Sequence, residues 1–149
     1  MLRKNKIILA SSSKQRQVLL RQLGINNFKI IPPTFDEDNY KAKLPITKRV
    51  VELSYLKANS IKTNCEIKDK IIISADTEIF RCGKIYSKCR SKDDVKNHLS
   101  QLSGRKHFVF GGICIIDHSG KVHKRLVKSE VYFDFISSKL SVCCKLSSD

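Results

Sequence analysis

The stretch Lys6–Gly24, KIILASSSKQRQVLLRQLG, decides how the rest of the chain is read. Ile7-Ile8-Leu9 is a short apolar run of the kind that forms a buried strand. Three serines follow at once, and Val18, Leu19, Leu20 and Leu23 then recur at helical spacing before Gly24. Ser12 with Gln15 three residues on fits a capping box, and Gly24 fits the left-handed residue that follows a helix end. A strand that feeds a hydroxyl-rich turn onto a helix start leaves backbone N–H groups pointing outward, and such an end attracts anions, phosphate above all. Arg16, one turn in, adds a fork-shaped cation. On this stretch alone, a serine capping a surface helix is the simpler reading.

Working outward, Phe28-Lys29-Ile30-Ile31 reads as a second strand stopped by Pro32-Pro33. Asp36-Glu37-Asp38, the one acidic triplet of a basic chain, lies in the loop that runs to Pro45. It is either solvated or holds a hard divalent cation through a carboxylate. Thr47 is placed to cap a helix reaching about Ile61, whose apolar stripe of Ile46, Val50, Leu53 and Ile61 has Lys57 in its middle. Burying an unpaired ammonium is costly. Lys57 therefore either snorkels past the core edge, the commoner outcome, or reaches a site where an anion compensates it.

Residues 63–70 read as a loop, and Ile71-Ile72-Ile73 is the strongest strand signal of the chain. It ends in Ser74-Ala75-Asp76-Thr77, which puts Asp76 where ligands gather in open α/β sheets, at the carboxyl end of a strand. A plain turn cap is an equally good reading of that aspartate. Cys82-Gly83-Lys84 reads as a hairpin turn leading to Ile85-Tyr86-Ser87-Lys88. Ser91 and Asp94 form a second capping box, on a helix running through Val95, Leu99 and Leu102 to Gly104. His98, on the flank of that helix, reads as structural. A strand from Lys106 to Asp117, a turn at His118-Ser119-Gly120 and a strand from Val122 to Phe135 complete the periodic part.

Length and composition set the class. One domain fits 149 residues, and 41% apolar with 29% charged residues is a globular balance. No run approaches the roughly 20 apolar residues of a membrane span. Met1-Leu2-Arg3-Lys4 leads into too few apolar residues for a secretory signal. The net charge of +15 is spread over both halves and suits an anionic ligand. With no Trp and no aromatic–basic interleaving, nucleic acid is not the favoured partner. Cys65, Cys82, Cys89, Cys114, Cys143 and Cys144 form no C-x-x-C pair, which argues against zinc and for reduced thiols in a cytoplasmic protein.

Taken in order, Leu9-Ala10-Ser11-Ser12-Ser13 with Arg16, Asp36-Glu37, Lys57-Ala58, Ala75-Asp76-Thr77, Gly83 and Lys88, Leu102-Ser103-Gly104-Arg105 with His107, and Glu130-Val131 with Phe133 resemble the Maf family over about residues 6–136. The resemblance implies an α/β fold, a mixed sheet flanked by helices, similar to the inosine triphosphatase group. It implies hydrolysis of nucleoside triphosphates to monophosphate and pyrophosphate in the cytoplasm with a divalent metal, Mg or Mn, and leaves a homodimer open. By that resemblance Asp76 matches the proton acceptor, Ser11, Ser13 and Arg16 the phosphate-binding turn, Glu37 the metal-side carboxylate, and Lys57 and Lys88 the phosphate-binding lysines.

The chain departs from the family pattern at Lys14-Gln15-Arg16 (for Pro-Arg-Arg), Ser87-Lys88-Cys89 (for Gly-Lys-Pro), Glu78 and Gly111. Family members continue past the Glu-Val-x-Phe strand with a helix and a glycine-rich segment, which Lys139–Asp149 does not follow. The expectation is thus an incomplete domain over 1–136 with an aberrant tail over 137–149. Two rival readings accompany the hydrolase: an inactive remnant with weak nucleotide binding, and a basic nucleic-acid-binding module.

Overall fold

The computed structural model describes residues 6–63, 69–86 and 88–137. The readings made for Met1–Lys4, Cys65, Ser87, Cys143, Cys144 and the tail from 138 onward lie outside them. The elements in chain order are β1 (Ile7–Leu9), α1 (Lys14–Gln22), β2 (Phe28–Ile30), α2 (Ile46–Lys62), β3 (Ile71–Arg81), β4 (Lys84–Tyr86), α3 (Lys92–Leu102), β5 (Lys106–Ile116) and β6 (Val122–Tyr132). They form the expected mixed six-stranded sheet, ordered β2-β1-β3-β5-β6 with β4 on β3, together with three helices. The chain divides into two compact units: one holds the described residues up to Asp76 with Gly111–Val127, the other Thr77–Phe110 with those from Lys128 on.

In the first unit β1 is the middle of three parallel strands, with Ile7 opposite both Phe28 and Ile71. A strand hydrogen-bonded on both sides has no edge to solvate, and that suits the unbroken apolar run of β1. Ile8, Ala10, Ala58, Ile61, Ile72, Cys114 and Ile116 make one buried cluster. Each large aliphatic side chain fully buried there contributes about 1.5–3 kcal/mol. Helix α2 comes so close to β5 that a Cβ on Gly112 would overlap the Val50 carbonyl. Glycine is what lets the helix and sheet backbones meet.

The end of α1 is as expected. Gly24 has φ +81°, and Gly24 N and Ile25 N donate to the Arg21 and Leu20 carbonyls in the Schellman pattern. The start differs. The N-cap is Ser13, not Ser12, and its hydroxyl turns to Gln15 Oε1 (3.0 Å), leaving no side-chain cap. Of the apolar stripe only Leu20 is buried, while Val18, Leu19 and Leu23 are 50%, 56% and 76% exposed.

Thr47 does not cap α2 either. The helix starts two residues earlier than that cap implies, at Ile46 behind Pro45, whose carbonyl accepts from Lys48 N and Arg49 N. Proline's fixed φ already sets the chain for helix entry, so no hydroxyl is required.

In the second unit β3 and β4 form a hairpin, Ile79 opposite Tyr86. Cys82 and Gly83 both have positive φ (48° and 77°), as a two-residue turn of the primed type demands. The capping box of α3 is present in both directions, Asp94 N to Ser91 Oγ (3.0 Å) and Ser91 N to Asp94 Oδ2 (3.0 Å). His98 is structural as read: it stands edge-on to Tyr86, with Nδ1 3.1 Å from the Cys89 sulfur.

Candidate active site

On β3 the buried positions alternate, so Ile72, Ser74 and Asp76 share one face. Helix α2 lies along that face. The Ser74 hydroxyl donates to the Ser54 carbonyl, and three residues further along the helix Lys57 Nζ meets Asp76 Oδ1 at 2.6 Å. The strand advances about 6.6 Å over two residues and the helix about 4.5 Å over three, so the two contacts follow one another along the same face. Lys57 is 5% exposed and Asp76 4%. The structure overturns the snorkelling expectation, because an anion waits inside.

The second anion is Glu37, whose Oε1 is 2.9 Å from the same Nζ and whose side chain is 53% exposed. Its loop is pinned to the helix that carries Lys57. Thr34 N donates to Ser60 Oγ and Thr34 Oγ1 to the Ser60 carbonyl, each at 3.2 Å. Within the loop Asp36 Oδ1 accepts from Asp38 N, and Phe35 meets Tyr40 edge to face with Arg49 over the Tyr40 ring. The acidic triplet therefore divides its work: Asp36 shapes the turn, Glu37 faces the ammonium. Asp76 Oδ2 is buried with no hydrogen-bond partner among the described residues. One ammonium between two carboxylates leaves the cluster one negative charge in excess.

Asp76 is not at a strand end, as the sequence suggested. β3 runs on to Arg81 because β4 pairs with it over Ile79–Arg81. It nonetheless lies beyond the parallel β1–β3 pairing, which stops at Leu9–Ile73, with Ala10 N still donating to Ile73 O (2.8 Å). The serine turn leaves the sheet past that same end. There Ser11, 4% exposed, is the hub: its Oγ accepts from Ser13 N (3.2 Å) and from Arg16 Nη1 (3.1 Å). The turn thus holds a guanidinium in place before any ligand arrives.

The structure joins Glu37, Lys57 and Asp76 in direct contact, and Ser11, Ser13 and Arg16 in one turn. Lys88 belongs to the second unit, where it is exposed. Sequence reading missed Ser54 and Ser74, which set the helix against the strand, and Thr34 and Ser60, which hold the Glu37 loop. Hydroxyls on otherwise apolar faces of α2 and β3 were the available signal.

Residues 6–141 match the family described as Maf-like protein. The chain is 38% identical over 131 residues to the dTTP/UTP pyrophosphatase of Mesorhizobium japonicum, covering 86% of this chain and 63% of that protein. It is 36% identical over 138 residues to the nucleoside triphosphate pyrophosphatase of Anaplasma marginale (strain Florida), covering 92% and 68%. It spans just under two thirds of the first of these relatives. Among solved structures, the Ham1 protein of Staphylococcus aureus superposes with a TM-score of 0.55 at 12% identity, over 85% of this chain and 70% of that one, a likeness of fold.

Proposed function

The chain belongs to the Maf-like protein family, and on that premise we propose that it hydrolyses nucleoside triphosphates to the monophosphate and pyrophosphate. The observation that carries the reading is the buried Lys57–Asp76 pair with Glu37 beside it. Phosphoryl chemistry calls for cations around the phosphate oxygens and a group to take the proton of the attacking water. In the proposed reaction a P–O bond to the water oxygen forms as one P–O bond of the α–β bridge breaks, pyrophosphate leaves, and the water proton passes to Asp76. The partnerless Oδ2 is the acceptor suited to it. Arg16, held by Ser11, and the start of α1 bind the phosphate tail, with Lys57 as a further cation.

The residues fit a divalent cation, Mg or Mn. The donors are hard carboxylate oxygens, the cluster carries excess negative charge, and Glu37 is half open to solvent. Glu37 would hold the ion, which when bound neutralises phosphate charge. The reading places the reaction in the cytoplasm. Among the described residues no helix is long and apolar enough to cross a membrane. It also includes a homodimer, for which the exposed Val18, Leu19 and Leu23 of α1 offer apolar surface.

The test is pyrophosphate release from a panel of triphosphates with Mg or Mn, dTTP and UTP first because relatives carry those names. Turnover is expected, reduced about 10²–10⁴-fold in Asp76→Asn with the circular dichroism spectrum retained. A flat panel, or an Asp76→Asn variant as fast as the parent, refutes the reading.

A further inference from the structure

Lys57 has one ammonium and two carboxylate partners. Its Nζ lies 2.6 Å from Asp76 Oδ1 and 2.9 Å from Glu37 Oε1. A cation so placed occupies the Glu37 oxygen that a divalent ion held by that residue would use. If both carboxylates stayed on Lys57, a metal ion would find only the spare acceptors, Asp76 Oδ2 and the outer oxygen of Glu37. If it took Glu37 fully, the ammonium would lose one partner and gain freedom to face a phosphate. The two cations are of like charge and cannot share so small a space without strong repulsion.

We infer that Lys57 is a resident counter-cation that competes with the divalent metal for Glu37. Metal binding shifts its ammonium off Glu37 and towards the triphosphate tail. This inference rests on the hydrolase reading for the metal and the substrate, and adds an order of events: the lysine that binds phosphate is occupied until the metal arrives. The fold supports such a movement on one side only. Glu37 sits on a loop with its side chain 53% exposed, whereas Asp76 is fixed in the middle of β3 and Lys57 is anchored on α2. The Glu37 contact is therefore the one that gives way.

Two measurements on the full chain test this. In the first, Mn²⁺ is titrated at pH 8 and low salt into the parent and Lys57→Met, with free Mn²⁺ read by electron paramagnetic resonance. The variant keeps an unbranched side chain one atom shorter and removes the competing charge, so it is expected to bind Mn²⁺ about tenfold more tightly. In the second, the parent is acetylated with an amine-reactive ester and analysed by mass spectrometry, with and without saturating Mn²⁺. Acetylation of Lys57 is expected to rise several-fold with Mn²⁺ while that of Lys62, exposed at the end of the same helix, stays level.

Equal or weaker binding by a folded Lys57→Met, or Lys57 acetylation that Mn²⁺ leaves unchanged or lowers, overturns the exchange. Should the variant fail to fold, the acetylation measurement on the parent decides alone. If Mn²⁺ binds and pyrophosphate is released but the exchange is not seen, only this inference falls. If neither protein binds Mn²⁺, the metal assignment falls with it.

Discussion

Ser11 illustrates how one small side chain can set an affinity. It is buried at the end of β1, accepts from Ser13 N, and holds Arg16 by its Nη1. Removing the hydroxyl frees the guanidinium to sample other rotamers and leaves the Ser13 N–H to water. A hydrogen bond to a charged group contributes about 1.5–3 kcal/mol. Ser11→Ala is accordingly expected to raise KM for the triphosphate about tenfold, with kcat within about twofold, because in the proposed reaction Arg16 would bind the tail and not move the proton. Steady-state kinetics over a substrate range separates the two constants; a fall in kcat alone would contradict the assignment. At this scale the sequence was partly legible. Lys57 announced itself as a charge on an apolar stripe, but the choice between solvent and a buried anion depended on residues that only the fold brings near. The family pattern pointed to Ser11, but its hydrogen bonds to Ser13 N and Arg16 could not be read among three identical neighbours.

Elements were easier to read than their ends. Apolar runs marked β1 and β3, and 3.6-residue spacing marked the helices, since each pattern reports what is buried. Caps went astray where the local alternative was nearly as good: Ser12 lost to Ser13, which then spent its hydroxyl on Gln15, and Thr47 lost to Pro45. The α2–β5 contact could not be read at all, since glycine leaves no periodic signal. It yields a sharp contrast between neighbours. A Cβ on Gly112 meets the Val50 backbone, whereas one on Gly111 finds nothing nearer than 3.9 Å. Gly112→Ala is expected to cost about 2 kcal/mol or more, as forced overpacking does, and Gly111→Ala less than about 0.5 kcal/mol, by urea denaturation.

Helix α3 offers a pH dependence. Backbone hydrogen bonding from Arg90 foremost, then the side-chain bond with Ser91, holds the Asp94 carboxyl below its ordinary value. A carboxylate depressed in the folded state stabilises above its unfolded pKa, near 4, and that contribution fades as pH falls below it. Amide protection across Lys92–Leu102 should therefore weaken on acidification below about pH 4, and Asp94→Asn should flatten that part of the profile. An unchanged profile in the variant would show the capping box to be electrostatically silent.

For the whole molecule, the order of segments carried more information than any one of them, because several weak matches in one order coincide by chance far less often than one does. What composition contributed was charge. A chain of +15 and a triphosphate attract each other well before contact, and the Debye length of about 10 Å at 0.1 M salt screens that approach. The Lys57–Asp76 contact is buried and is screened far less. These two facts separate the steps. Raising monovalent salt from about 0.02 to 0.3 M should lower kcat/KM for the triphosphate several-fold while kcat changes little, since in the proposed reaction capture would be long-range and the proton would pass to the buried Asp76. Kinetics at fixed metal activity, with the salt series repeated for a less charged substrate such as a nucleoside diphosphate, would show the slope to scale with ligand charge. A slope independent of ligand charge would locate the salt effect in the fold and not in the encounter.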